Sequence, residues 1–334
     1  MVLLPVHVSG EIDGARLPDG GSTLSLALGA RITALLHNRI AGLGERTPAE
    51  LSFANLWLFR GIHSWRFHEG LWPCISGLGY DGRCQAIPLF DVRRPPVRVL
   101  SELLRRHGCL YPLCEPETAA LDQAYFTLTA QRDDADYLYR AIDLAHFQGK
   151  GLHSKRNLMA TFTSTHDVRA QAYEISLHDE ALEVLAGWMQ DKGLQSGEAD
   201  DTPCRDALAH AAILGLKGFV YRVDGEVAGF LLAEMLQAGL WIIRFAKARL
   251  RFKGLAQFMF HHFAACSESN ATWLNFEQDL GLLNFRQTKM SYRPTILLPK
   301  WRLSLRDDHP IAARTGAKHQ GHDFLTDGHT PISQ

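Results

Sequence analysis

The chain has 334 residues, with 35 Lys+Arg against 36 Asp+Glu, a formal charge of −1, 46% hydrophobic and 21% charged residues. Such a composition excludes global disorder, a fibrous repeat and a protein that holds nucleic acid by bulk positive charge. The length suits two domains, or one large one, and is ample for a buried core.

Residues 1–50 carry little pattern beyond a Gly-rich patch at 19–21 and a helical stretch at 26–36. The start lacks a basic segment followed by a long apolar one, so no secretory leader is expected. From Phe53 the pattern reads as short strands, with 64–68 and 71–77 paired around Glu69-Gly70 and a third at 84–92. Pro95-Pro96 opens a helix with Val97, Leu100, Leu103 and Leu104 on one face. A segment at 137–147 follows, and then a basic run at 150–157.

The second half begins with a capping-box pattern at 176–179, ahead of a helix bearing Leu182, Leu185 and Met189. Residues 192–203 read as a polar loop, and an Ala/Leu-rich helix is expected to run to Gly218. Asp224-Gly225 separates two apolar runs, 219–223 and 227–234, a strong hairpin signal. A strand at 240–247, a helix from Leu255, a strand at 272–277, a short helix from Asp279 and a last strand at 295–303 follow. The stretch 229–245 is apolar, but Glu234, Gln237 and Arg244 interrupt it, so it reads as two strands and not as a membrane span. Beyond about residue 307 the chain turns polar and is expected to be a disordered tail, with His309, His319, His322 and His329 at no ligand spacing.

None of the six cysteines (74, 84, 109, 114, 204 and 266) forms a CxxC pair, and Cys109 and Cys114 have no second pair to complete a zinc tetrahedron. Buried reduced thiols in a cytoplasmic protein are therefore expected, with no metal and no resident cofactor.

Three glycine motifs invite a phosphate. Gly77, Gly79 and Gly82 match GxGxxG, but a strand follows where a helix N-terminus is needed, so a hairpin turn is expected. Arg39, Gly42 and Gly44 match RxxGxG, but follow a helical stretch. Arg251, Gly254 and Ala256 match RxxGxA with a strand before and an amphipathic helix after, the context in which helix N-terminal amides bind phosphate oxygens. Between Arg244 and Lys253 lie five basic residues and no acidic one. Lys247, Arg249, Arg251, Lys253, Gly254 and Ala256 are thus the candidate donor-phosphate loop, against the plainer reading of a solvated connector.

Longer runs carry a resemblance. TWLNFEQDLG at 272–281, FRQTKMSYRP at 285–294, FANLWLFR at 53–60, YLYR at 137–140 and GKGLHSKRN at 149–157 occur in this order. Together they resemble the phosphatidylglycerol lysyltransferase C-terminal domain family from about residue 50 to 303. The resemblance implies an α+β fold of two tandem GNAT-like domains, each a mixed curved sheet flanked by helices, related to Fem-type aminoacyltransferases. The expected division is 1–50 as an extension, 51–165 and 166–306 as the two domains, and 307–334 as tail. It also implies an acyl- or aminoacyltransferase that uses aminoacyl-tRNA or acyl-CoA as co-substrate. The acceptor would bear an amine or hydroxyl, with phosphatidylglycerol or another lipid as one class, and the protein would sit in the cytoplasm or at the inner membrane face. Ala246 and Phe276 depart from the family pattern, which has an acidic and a basic residue there. That departure keeps open a GNAT-like binding protein without turnover.

Transfer needs a polarised carbonyl, a deprotonated nucleophile and close positioning. Glu277 is the candidate base, Asp279 a second carboxylate that also suits a helix N-cap, and Tyr292 a candidate acid for the leaving group. Lys150, His153, Lys155, Arg156 and Asn157, dense in donors and free of acids, are expected to grip an anionic substrate between the domains, with Asn275 in the same signature as Glu277.

Overall fold

A computed structural model describes residues 20–266 and 269–306. The expected tail and residues 1–19 of the extension lie outside them. Among the described residues the strands form two seven-stranded mixed sheets.

The first sheet holds β1 (Ser22–Thr23), β2 (Arg66–His68), β3 (Cys74–Leu78), β4 (Cys84–Pro88), β5 (Leu110–Leu113) and β6 (Phe126–Ala130). The second holds β7 (Asp136–Arg140), β8 (Val168–Ala172), β9 (Leu216–Val223), β10 (Glu226–Gln237), β11 (Leu240–Ala248), β12 (Trp273–Asn275) and β13 (Ile296–Leu298). The last strand, β14 (Trp301–Leu305), returns to the first sheet between β5 and β6. In turn β7, from the first half of the chain, pairs antiparallel with both β12 and β13. Pairing therefore crosses the expected division at 165/166, and a cut there parts β7 from its sheet.

Helices fill the space around and between the sheets. The first half contributes α1 (Gly29–Ile40), α2 (Phe53–Leu58), α3 (Arg60–His63), α4 (Val97–His107), α5 (Glu115–Thr118) and α6 (Ala141–His146). The second contributes α7 (His153–Thr165), α8 (His178–Lys192), α9 (Asp201–Ala209), α10 (Leu255–Ala265) and α11 (Leu283–Met290). Ile32, Leu36, Trp57, Val184 and Leu208 join residues of both sheets in one central core. A second core lies under α6, α7 and α10, and a third under α4.

Alternation along β10 explains the layering. Phe230 and Leu232 enter the central core, while Leu231 and Ala233 enter the core under α10. In β11 the alternation slips. Ala233 pairs with Ile243 and Leu232 with Phe245, which leaves Arg244 as an extra residue in a β-bulge. Ile242 and Phe245 consequently share the central core although three positions separate them.

Several local expectations are corrected. The segment after Phe53 is helical (α2, α3), not stranded, because Ser52 caps it by accepting from the Asn55 amide at 2.9 Å. The pattern at 176–179 makes no side-chain cap, and α8 starts at His178. α9 ends at Ala209, so the residues before Gly218 already belong to β9. The expected last strand is two, β13 and β14, which break at Pro299-Lys300 where the chain changes sheets.

Candidate functional site: the cleft beside β11

β11 and β12 run parallel, but pair only from Leu240 with Trp273 to Ile242 with Asn275. β12 then ends, while β11 continues to Ala248. The two strands splay, and a cleft of about 510 Å³ opens beside β11. Its floor is apolar, from Ile243, Ala246, Met259, Phe260 and Phe276; its rim carries Lys155, Lys192, Arg249 and Lys253. The N-terminus of α10 points its first-turn amides at this end of the fold. Among the described residues that line the cleft there is no Asp or Glu.

Tyr292 lines the cleft, and its hydroxyl accepts a hydrogen bond from Gln257 Nε2 at 2.8 Å. Burial pushes that hydroxyl well above the usual tyrosine range, so it keeps its proton at neutral pH. The Lys155 ammonium stands 4.3 Å from the centre of the Tyr292 ring, and partial burial lowers its pKa. Lys155 is the member of the 150–157 run that reaches the cleft. Lys150, His153 and Arg156 share a shallow depression on the surface with Gly149. Arg156 spends one donor on the Phe147 carbonyl at 2.7 Å, and Asn157 lies 3.4 Å from His153 on exposed helix. The run does not sit between the sheets as expected. It forms the turn before α7 and the first residues of that helix, and Leu152 of the turn and Phe162 of α7 pack into the core under α10.

The candidate phosphate loop divides. Lys253, Gly254, Ala256 and Arg249 line the cleft, whereas Lys247 and Arg251 do not. Lys247 points to the opposite face, where it is fully buried against Asp200 at 2.5 Å and over the Trp188 ring at 4.0 Å. Arg249 is held by Asp191 at 2.9 and 3.1 Å. Arg251 pairs with Glu226. Lys253 has no ion-pair partner among the described residues and remains the loop's available cation. Gly254 has φ +108°, and a Cβ there would stand 2.5 Å from Phe162 Cβ and 2.7 Å from the Leu158 carbonyl. The close approach of α7 therefore requires this glycine, whatever it does for a ligand.

The carboxylates face elsewhere. Glu277, at φ +58°, turns away from the cleft and bonds Arg244 Nη1 at 2.5 Å. Burial raises its pKa against the pull of Arg244. Asp279 is buried and accepts from Tyr137, from Arg286 at 2.9 Å and from the Gly281 amide at 2.9 Å. Burial works to raise its pKa, but these bonds, Arg286's first, outweigh it and hold the carboxyl at about 2. α11 starts at Leu283, so Asp279 shapes the turn before it and is not its N-cap. Asn275 is structural too, donating to Asp136 at 2.9 Å and accepting the Glu277 amide at 2.7 Å.

Sequence reasoning missed Lys289. It lines the cleft from α11, is buried, and donates to the carbonyls of Glu277 at 3.2 Å and Gln278 at 2.5 Å. Burial is the main cause that lowers its pKa to about 8. Nothing in its local sequence separates it from a surface lysine; the packing of α11 buries it. The rejected glycine motifs resolve as structure. Gly79 N bonds the Arg83 carbonyl in the β3–β4 turn, and buried Arg39 holds Glu117 together with the carbonyls of Pro88 and Pro112.

Two mixed sheets in tandem, with a wedge open between parallel central strands, define a GNAT-like transferase fold. The chain belongs to the phosphatidylglycerol lysyltransferase C-terminal family, whose profile matches residues 42–304. Aminoacyl transfer, taken broadly, is the chemistry of that family. A conserved protein of unknown function from Bacteroides thetaiotaomicron is 24% identical, with a TM-score of 0.72 over 85% of this chain and 99% of that one. The C-terminal domain of a putative lysylphosphatidylglycerol synthetase from Agrobacterium fabrum is 14% identical, with a TM-score of 0.55 over 86% and 95%. L-PGS from Bacillus licheniformis is 12% identical, with a TM-score of 0.56 over 89% and 96%. No curated protein matches the sequence significantly. Among the described residues no helix is long and apolar enough to cross a membrane.

Proposed function

We propose that the cleft beside β11 binds an activated carboxyl donor and passes its acyl or aminoacyl group to an amine or hydroxyl acceptor. The observation that carries this reading is the splay of β11 from β12 above an apolar floor and a cationic rim. A donor of either kind, aminoacyl-tRNA or acyl-CoA, brings phosphates that suit Lys253, Lys155 and the first turn of α10. Past Ile242, β11 leaves the β12 ladder, so main-chain groups on that edge are free to meet the donor's carbonyl. Tyr292 holds its proton and can give it to the departing oxygen or sulfur, while Lys155 beside the ring favours the tyrosinate left behind. The cleft supplies no carboxylate base, so the acceptor enters as a neutral amine or loses its proton to Lys289, which is poised at about 8.

The test is transfer with purified protein, comparing charged tRNA with acyl-CoA as donor and phosphatidylglycerol vesicles with soluble amines as acceptor. Tyr292→Phe should lower turnover by about 10²–10⁴-fold with little change in donor affinity. Unchanged turnover would remove Tyr292 from the chemistry. The absence of an acidic cleft residue, at Ala246 above all, and an apolar Phe276 where the family pattern has a basic residue favour a second reading: a binding protein without turnover. A tight ligand recovered intact by mass spectrometry, with no product from any pair, would support it.

A further inference from the structure

Gln257 stands in the first turn of α10, three residues past Gly254, and its side chain lines the cleft. Its Nε2 donates to the Tyr292 hydroxyl at 2.8 Å, a contact made across 35 positions of sequence. Among the described residues this is the one hydrogen bond that the Tyr292 hydroxyl makes.

The ring behind that hydroxyl is clamped. Tyr292 is 3% exposed and belongs to the core under α10. Phe260 meets it edge-on at 5.6 Å, Phe276 edge-on at 6.2 Å, and Phe147 tilted at 6.3 Å. Phe260 lies three positions after Gln257, on the same side of α10. One helix therefore fixes the ring through Phe260 and the oxygen through Gln257.

The polarity of this bond decides where the proton goes. A phenol carries one proton and accepts through the remaining directions around its oxygen. Once the Gln257 amide occupies one side of the oxygen, the hydroxyl proton lies on another. No acceptor among the described residues meets it there, and the cleft that Tyr292 lines holds no Asp or Glu to compete for it. An amide N–H also favours an oxygen that gains negative charge, so the bond strengthens as the proton leaves. Burial is the larger influence and holds the hydroxyl's pKa high, while the Gln257 bond pulls it back down.

We propose that Gln257 is a positioning residue for transfer: by donating to the Tyr292 oxygen it aims the phenolic proton into the cleft, at the departing atom of the donor. The proposal rests on the transfer reading, in which Tyr292 is the acid. In the step it serves, the acceptor's nitrogen or oxygen bonds to the donor's carbonyl carbon, and the bond from that carbon to the departing oxygen or sulfur breaks. The electron pair stays on the departing atom, which takes the Tyr292 proton. The phenolate keeps its Gln257 hydrogen bond, and the proton shed by the acceptor restores the phenol. Gln257 touches none of the reacting atoms.

Steady-state kinetics of the full chain test it, with charged tRNA and acyl-CoA as donors and Tyr292→Phe measured alongside. Gln257→Met keeps the length of the side chain but not the donor. Its kcat should fall about tenfold to a hundredfold, with donor KM and melting temperature near those of the parent. Gln257→Glu gives a readout that a packing role would not move. Protonated, the introduced carboxyl donates to Tyr292 as the amide does; ionised, it only accepts, and draws the phenolic proton away from the cleft. The ratio of its kcat to the parent's should therefore fall as pH rises through the titration of that carboxyl. Parental kcat in Gln257→Met, or a Gln257→Glu ratio that does not change with pH, beside an impaired Tyr292→Phe, would overturn the assignment and leave the transfer reading standing. An unimpaired Tyr292→Phe, or no turnover from any pair, would overturn both.

Discussion

Replacing Arg244 tests the centre of the molecule. Its guanidinium is fully buried and makes five hydrogen bonds: two to Glu234 at 2.7 and 3.0 Å, and one each to Glu277 at 2.5 Å, the Ala49 carbonyl at 2.8 Å and Ser52 Oγ at 2.8 Å. Arg244→Ala leaves two largely buried carboxylates without their shared cation and the Ala49 carbonyl without its donor, while Ser52 Oγ keeps the Asn55 amide and Glu234. Breaking one buried ion pair from one side costs about 3–5 kcal/mol, so a loss in that range or above is expected. Arg244→Lys restores the charge but not the planar fork that reaches four groups at once, and should cost about 2 kcal/mol. Urea unfolding reads both values through the midpoint, with the slope m unchanged. Adding Glu234→Gln and Glu277→Gln to Arg244→Ala removes the stranded charges and should recover a substantial part of the loss. If Arg244→Ala costs under 1 kcal/mol, or the added substitutions recover nothing, the charge argument is wrong.

Gly254→Ala should lower stability by about 2–4 kcal/mol, from a positive φ and a Cβ forced against α7. A role confined to binding phosphate would leave the melting temperature unmoved. Lys253→Ala should weaken donor binding about tenfold, with the difference shrinking as salt rises, because this cation is exposed and acts by charge; titration at two ionic strengths reads it. The depressed pKa of Asp279 means stability that is complete above about 3.8 and is lost as pH falls through about 2. That loss is on the order of 1–2 kcal/mol after allowance for solvent screening, and should vanish from acid unfolding curves of Asp279→Asn.

Much of this protein could be read along the chain. The Asp224-Gly225 hairpin, strand β11, helix α10 and helix α4 each rest on local chemistry: a turn that needs positive φ, an apolar alternation, an amphipathic face. The family resemblance added the paired sheets and the transferase class. Tertiary structure alone decided the rest. Five basic residues between Arg244 and Lys253 look equivalent in sequence, yet the bulge at Arg244 turns it into the interior and shifts the phase behind it. Lys247 then meets Asp200, and Ala246 and Ala248 face the cleft. By its place in the sequence Glu277 reads as a base for that cleft, and its backbone turn sends it to the other side. Lys289 and Lys300 carry no local mark of burial. Each is buried because strands β13 and β14 part at Pro299-Lys300 to join different sheets, and helix α11 packs beneath the segment after β12. Charge sharing of that kind depends on groups up to 250 positions apart, a distance over which no periodicity reaches.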